Sequence, residues 1–142
     1  MENFNDIKRP SESLINSLYK LTSATASGEL NRMGIKDPSI TGPSTYSPGK
    51  KIVGPALTLQ FLPIREDIYY DDEYTDPEEQ LHRQVLYLTK PVDIVVVDAR
   101  GSMNSGVFGE MMLSFFKGRG GEGVVIDGCI RAVSYTHLRA HE

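Results

Sequence analysis

Val92–Val97, reading VDIVVV, restricts the fold of this chain more than any other stretch. A nearly continuous β-branched run suits a strand covered on both faces, as in parallel sheets packed under helices. The run ends at Asp98, and a Gly/Ser/Asn loop follows from Ala99 to Gly106. Phe108–Lys117 then reads as a helix with Met111, Met112, Phe115 and Phe116 as apolar residues, and the glycines of Gly118–Gly121 close it. Gly123–Ile126 is a second buried strand, ending at Asp127-Gly128. A strand–helix–strand unit of this length joins parallel strands through a right-handed crossover. An α/β fold built around residues 92–127 is therefore expected.

Upstream, Pro10–Met33 reads as helical. Leu14, Ile15, Leu18, Tyr19 and Leu21 recur near helical spacing, and Ser11 or Ser13 can cap. Gly28 weakens the middle, so one helix and two short helices broken near Ser23–Ser27 are both open. Asp37–Lys51 is a loop rich in Pro, Gly, Ser and Thr. Lys51–Phe61 reads as a strand pair or a bent strand interrupted at Gly54-Pro55, with Pro55 marking an edge or bulge because it has no N–H for a ladder. Arg65–Glu79 is acidic and aromatic, with Asp67, Asp71, Asp72, Glu73, Asp76, Glu78 and Glu79. A cation site and a solvated loop leading into a helix are the alternatives. The absence of a glycine inside the acidic run fits no EF-hand and favours the loop. Gln80–Leu88 follows as a short amphipathic helix with Leu81, Val85 and Leu88 on one face.

Composition narrows the function classes. The 142 residues suffice for one domain with a real core. A net charge of -4 with no clustered basic face argues against nucleic-acid binding. The polar start, Met1–Pro10, has no apolar core of a secretory signal, and no apolar run reaches membrane-spanning length. Cys129 is the single cysteine, which excludes an internal disulfide and fits a reducing compartment. A cytoplasmic protein with no membrane partner is expected.

Ligands of parallel α/β units gather outside the carboxyl ends of the strands. Three segments meet there: the loop after Asp98, the helix start near Gly109, and Gly128–Arg131. A helix N-terminus offers unpaired backbone N–H groups and a partial positive charge, which suit a carboxylate or phosphate. Gly106 and Gly109 leave the approach free of side chains. Arg131 can fork onto the same anion with two hydrogen bonds. Against that stand plainer roles: a surface arginine, turn-capping Asp98 and Asp127, Glu110 complementing the helix dipole, and Cys129 as a small packed residue. Gly118–Gly123 matches G-x-G-x-x-G literally but follows a helix and opens a strand, so it is no dinucleotide fingerprint. A small anionic ligand is the expectation.

From Thr22 onward the chain resembles the RraA-like / 4-hydroxy-4-methyl-2-oxoglutarate aldolase family. SATAS (Ser23–Ser27), Leu30–Ile35, VGPALTL (Val53–Leu59), VDIVVVDARGS (Val92–Ser102), GVFGEMM (Gly106–Met112) and GEGVVIDGCIR (Gly121–Arg131) carry the resemblance. It implies a swivelling β/β/α-type domain assembled as a homotrimer or hexamer, with sites at subunit boundaries. It also implies lyase activity: cleavage of 4-hydroxy-4-methyl-2-oxoglutarate or 4-carboxy-4-hydroxy-2-oxoadipate to pyruvate and an oxo-acid, with oxaloacetate decarboxylase side activity. The family stabilises the pyruvate enolate with a divalent metal, Mg or Mn. By the resemblance, the backbone of Gly109, Glu110, Met111 and Met112 holds the 2-oxo-acid substrate, and Arg131 is the catalytic residue, binding the substrate's carboxylate or oxo oxygen.

The chain departs from the pattern at Ala132, where the family places a metal-binding aspartate, so no metal ligand is assigned. Gly28 also stands where many members carry aspartate. Val133–Glu142, VSYTHLRAHE, resembles a translated sequencing-adapter tail, so residues 1–131 are expected to form one incomplete domain and 132–142 a non-native tail. His137 and His141 lie four apart but belong to that tail. On this reading the parent protein is an aldolase, and this chain is expected to be inactive. The competing reading within the same superfamily is a non-catalytic regulator that binds and inhibits an RNA-degrading endonuclease.

Overall fold

A computed structural model of the chain describes residues 7–62, 67, 76–104 and 106–131. It has helices α1 (Glu12–Tyr19), α2 (Ser23–Arg32), α3 (Leu81–Leu88) and α4 (Glu110–Gly118), with strands β1 (Ala56–Gln60), β2 (Ile94–Ser102) and β3 (Gly123–Gly128). The strands form one sheet in the order β1-β2-β3, and both pairings are parallel. The α/β class and the parallel strand–helix–strand unit are thus as the sequence implies. Asp71, Asp72 and Glu73 of the acidic stretch, together with Ala132, His137, His141 and the whole expected tail, lie outside the described residues.

Alternation along the strands sorts side chains onto two faces. Leu57, Val95 and Val124 share one row across the sheet, and Leu59, Val97 and Ile126 the next. Both rows pack with Val85 and Leu86 of α3, Phe116 of α4, and Phe108, which just precedes α4. Each fully buried Val, Leu or Phe contributes about 1.5–3 kcal/mol, so this face carries most of the stability. The opposite face is less covered than the β-branched run suggests. Ile94 is buried there, but Val96 and Val125 are only half-buried and Thr58 is exposed. Unbroken apolar character records the central position of β2 rather than complete cover on both sides.

Several boundaries differ from expectation. The N-terminal segment breaks at Lys20–Thr22, ahead of Ser23–Ser27, because the Thr22 hydroxyl accepts from the Thr25 N–H and starts α2 there. Gly28 is carried inside α2 without breaking it. Ser11, rather than Ser13, caps α1. Lys51–Phe61 contains one strand instead of a pair. Gly54 presses against the Val92 carbonyl with no room for a side chain. Pro55 sits just before β1, and its carbonyl accepts from Ile94 N at 2.8 Å. β1 is an edge strand, as the proline requires.

Val92 and Asp93 stand outside β2. Val92 adopts φ +64, an outlying conformation for a β-branched residue. At its other end β2 runs past Asp98 to Ser102, through an irregularity between Asp98 and Ser102 where Arg100 (φ +55) and Gly101 (φ +66) are left-handed. The Ala99–Gly106 loop is therefore shorter than expected. α3 buries Val85 and Leu86, whereas Leu81 is exposed, so its inner face is rotated from the Leu81/Val85/Leu88 stripe. α4 begins at Glu110 because Phe108 turns into the core ahead of it.

Arginines finish α3. A helix C-terminus leaves carbonyls without intrahelical donors and a partial negative charge. Arg119 donates to Tyr87 O at 2.9 Å and Thr89 O at 3.1 Å, and Arg9 donates to Leu88 O at 2.8 Å. Arg9 also grips the fully buried Asp93 through Nε and Nη2, at 2.7–3.0 Å. The segment before α1 is pinned to the base of the sheet by that pair.

Candidate anion-binding site

Gly109 is the N-cap residue of α4 in extended conformation, and it supplies no side chain to satisfy the first-turn N–H groups. Helix geometry leaves the N–H groups of Glu110, Met111 and Met112 without intrahelical acceptors, pointing outward with the positive end of the dipole. Leu113 N is the first to bond back, to Gly109 O at 3.1 Å. The Met111 side chain is 86% exposed, and Met112 packs at the core margin. The polar groups that this turn itself offers a ligand are these backbone N–H groups.

Arg131 is brought to the same place. Its N–H donates to Phe108 O at 2.9 Å, while Val107 N donates to Cys129 O at 3.0 Å. These two bonds bind the segment after β3 to the approach of α4. A Cβ placed on Gly109 would lie 3.9 Å from the Arg131 carbonyl, so Arg131 adjoins the helix start directly. Arg131 is exposed to solvent. Of the residues singled out from the sequence, Gly109, Glu110, Met111, Met112 and Arg131 thus lie together.

Asp98 and Asp127 do not join them. They are paired in register on the less covered face of the sheet, opposite the α3–α4 core. Asp98 accepts from Gln60 Nε2 at 2.8 Å and from Arg100 N at 3.0 Å, and those bonds hold its carboxyl below the usual range. Asp127 accepts from Gly101 N at 3.1 Å. Both carboxylates brace the irregular end of β2, the turn-capping role. A concavity of about 310 Å³ lies between them and Ile40, Thr41 and Pro43, separate from Arg131. In the acidic stretch, Asp76 and Glu78 are likewise structural. Asp76 caps a 3-10 turn at Pro77–Glu79, and the Glu78 carboxylate takes bonds from Arg83 and the Tyr87 hydroxyl. Gly118–Gly123 lies between α4 and β3, where no dinucleotide loop can form.

His82, in the first turn of α3, is a group that sequence spacing did not single out. Burial lowers its pKa first, and the positive charges of Arg83 and Arg131 lower it further. Both effects disfavour the charged imidazolium. Its partial burial follows from the tertiary packing of α3, and no local motif signals that.

The depressed His82 pKa has a definite sign. The folded state binds this proton less tightly than the unfolded state, so stability is complete above about pH 6.5 and falls as the pH drops through the folded value. The urea midpoint should decrease from pH 7.5 to 5.5, and His82→Gln should flatten part of that decrease. An identical slope in the variant would remove His82 as the cause.

A divalent metal does not fit the described residues. No three His, Cys, Asp or Glu side chains gather among them, and Asp98 and Asp127 are already engaged. Nor is any helix among them long and apolar enough to cross a membrane.

Comparison with known proteins bears on the fold and the family. The chain is similar to RraAS2 of Streptomyces coelicolor, an unusual member of the RNase ES inhibitor RraA protein family, at 39% identity and a TM-score of 0.76. The likeness covers 89% of this chain and 58% of that one. An uncharacterised protein from Pseudomonas syringae pv. tomato is 26% identical with a TM-score of 0.64, over 88% of this chain and 52% of that one. The chain thus spans little more than half the length of either. No curated protein matches it. Residues 23–138 match the model of the RraA-like family, described as Aldolase/RraA, in a range that runs past Arg131 and takes in the sheet, α3, α4 and the helix-start site: the chain belongs to the RraA-like family.

Proposed function

We propose that this site takes the carboxylate of a small 2-oxo-acid, and that the parent protein is a lyase. It would split 4-hydroxy-4-methyl-2-oxoglutarate or 4-carboxy-4-hydroxy-2-oxoadipate into pyruvate and an oxo-acid, and decarboxylate oxaloacetate as a side activity. One observation carries the reading: Arg131, fastened by its own N–H to the Phe108 carbonyl, adjoins the uncapped N-terminus of α4. Carbon–carbon cleavage leaves a pyruvate enolate with its charge on the oxo oxygen. A guanidinium and preorganised N–H groups favour such charge where it develops. A cytoplasmic homotrimer or hexamer belongs to the same proposal, with residues 1–131 as its domain.

On this reading the described residues would supply only the anion half of the chemistry, and Ala132 stands where the resemblance places a metal ligand. The chain is therefore expected to bind oxalate, a pyruvate-enolate mimic, yet to release pyruvate with Mg²⁺ at least about a thousandfold more slowly than a full-length homologue, since lost charge stabilisation costs several kcal/mol. Arg131→Ala should raise the oxalate Kd about tenfold to a hundredfold, the worth of a charged hydrogen-bonded pair. Met111→Ala should leave it unchanged. Equal oxalate binding in Arg131→Ala and the unaltered chain would sink the assignment.

A second reading is favoured by the likeness to RraAS2, whose family is named for RNase ES inhibition. In it the parent is a regulator that binds an RNA-degrading endonuclease and needs no metal. Inhibition of such an endonuclease by the chain, unaffected by Arg131→Ala, would select that reading.

A further inference from the structure

We propose that Gly106 is a positioning residue for Arg131, setting where its guanidinium can reach. The proposal rests on the 2-oxo-acid reading above, in which Arg131 meets the anion. Gly106 reads from the sequence as a residue that keeps the ligand's approach clear. Its surroundings assign it a different task.

A Cβ on Gly106 would lie 2.7 Å from Arg131 N and 2.9 Å from Arg131 Cα, and would strike the Arg131 Cβ as well. These are backbone atoms and the root of a side chain, which cannot swing aside as the end of a long side chain can. The same stretch is tied down on either side. Val107 N is bonded to Cys129 O at 3.0 Å, and Arg131 N to Phe108 O at 2.9 Å. Backbone therefore meets backbone at Gly106, and the missing side chain is what permits both bonds at once. At Gly109 the contrast is clear, since a Cβ there would meet only the Arg131 carbonyl at 3.9 Å, an ordinary contact.

A methyl group at Gly106 must push the Arg131 segment away from the start of α4. Binding constellations tolerate displacements of only about 0.5 Å, and about 1 Å can cost a hundredfold. The outcome is a ligand defect that acts through Arg131, and a double-mutant cycle isolates such a dependence.

Oxalate titration of the full chain tests this. Gly106→Ala should raise the Kd about tenfold, yet change it less than twofold when added to Arg131→Ala, because no guanidinium remains to misplace. Gly120→Ala, strained at φ +85 against Pro91 at the far end of α4, should lower stability without moving the Kd. An unchanged Kd in Gly106→Ala, or full additivity with Arg131→Ala, would overturn the positioning role alone. Failure of the unaltered chain to bind oxalate would overturn the 2-oxo-acid reading and this role with it. Failure of Gly106→Ala to fold under conditions where Gly120→Ala folds would also overturn the positioning role, because Gly106 would then serve the fold itself rather than the reach of Arg131.

Discussion

Arg9→Met is expected to lose about 3–5 kcal/mol of unfolding free energy, measured by urea denaturation, because it strands a charge inside the protein. Asp93 is 0% exposed, and Arg9 meets both of its carboxylate oxygens. Without Arg9 the carboxylate would keep the Lys90 N–H at 2.8 Å as its recorded donor. The reverse variant, Asp93→Asn, should cost less. Arg9 retains 16% exposure and its bond to the Leu88 carbonyl, so its charge can turn to water. A paired replacement, Arg9→Met with Asp93→Leu, should recover part of the loss, since buried ion pairs are often exchanged for apolar pairs without penalty. Losses below about 1 kcal/mol in both single variants would place the pair with ordinary surface salt bridges.

Phe108→Ala should be about as damaging, at roughly 3–5 kcal/mol, through the lost burial and the cavity left behind. Phe108 is 0% exposed within the cluster formed by the sheet, α3 and α4. Its carbonyl also receives the Arg131 N–H, so the same residue anchors the core and the proposed site. Phe108→Leu keeps most of the volume and should cost under about 2 kcal/mol. Oxalate binding should weaken in the alanine variant more than in the leucine variant. Equal Kd values in the two would separate the anchor from the site.

Much of the parallel unit was legible in the chain. The β-branched run, the amphipathic segment after it and the short apolar strand beyond define a period change that only strand–helix–strand satisfies. The helix start at Gly109 and the arginine at the end of the last strand followed from the same layout. Less legible were the ends of elements, where competing local bonds decide. The Thr22 hydroxyl moved a helix break, the Val92 carbonyl against Gly54 kept residues 51–55 out of a strand, and two left-handed residues prolonged β2 past Asp98. The burial of Asp93 was not legible at all, because its partner Arg9 is distant in the chain and no periodicity encodes the contact.

The sequence alone determined the α/β class, the parallel unit, and the helix start at which an anion is proposed to bind, since these depend on side-chain period and on helix geometry. Tertiary structure decided what those residues do. It turned Asp98 and Asp127 into braces, partly buried His82, and set Arg131 against a glycine with no room for a methyl group. Such roles arise from contacts between distant segments, and packing rather than local preference selects them.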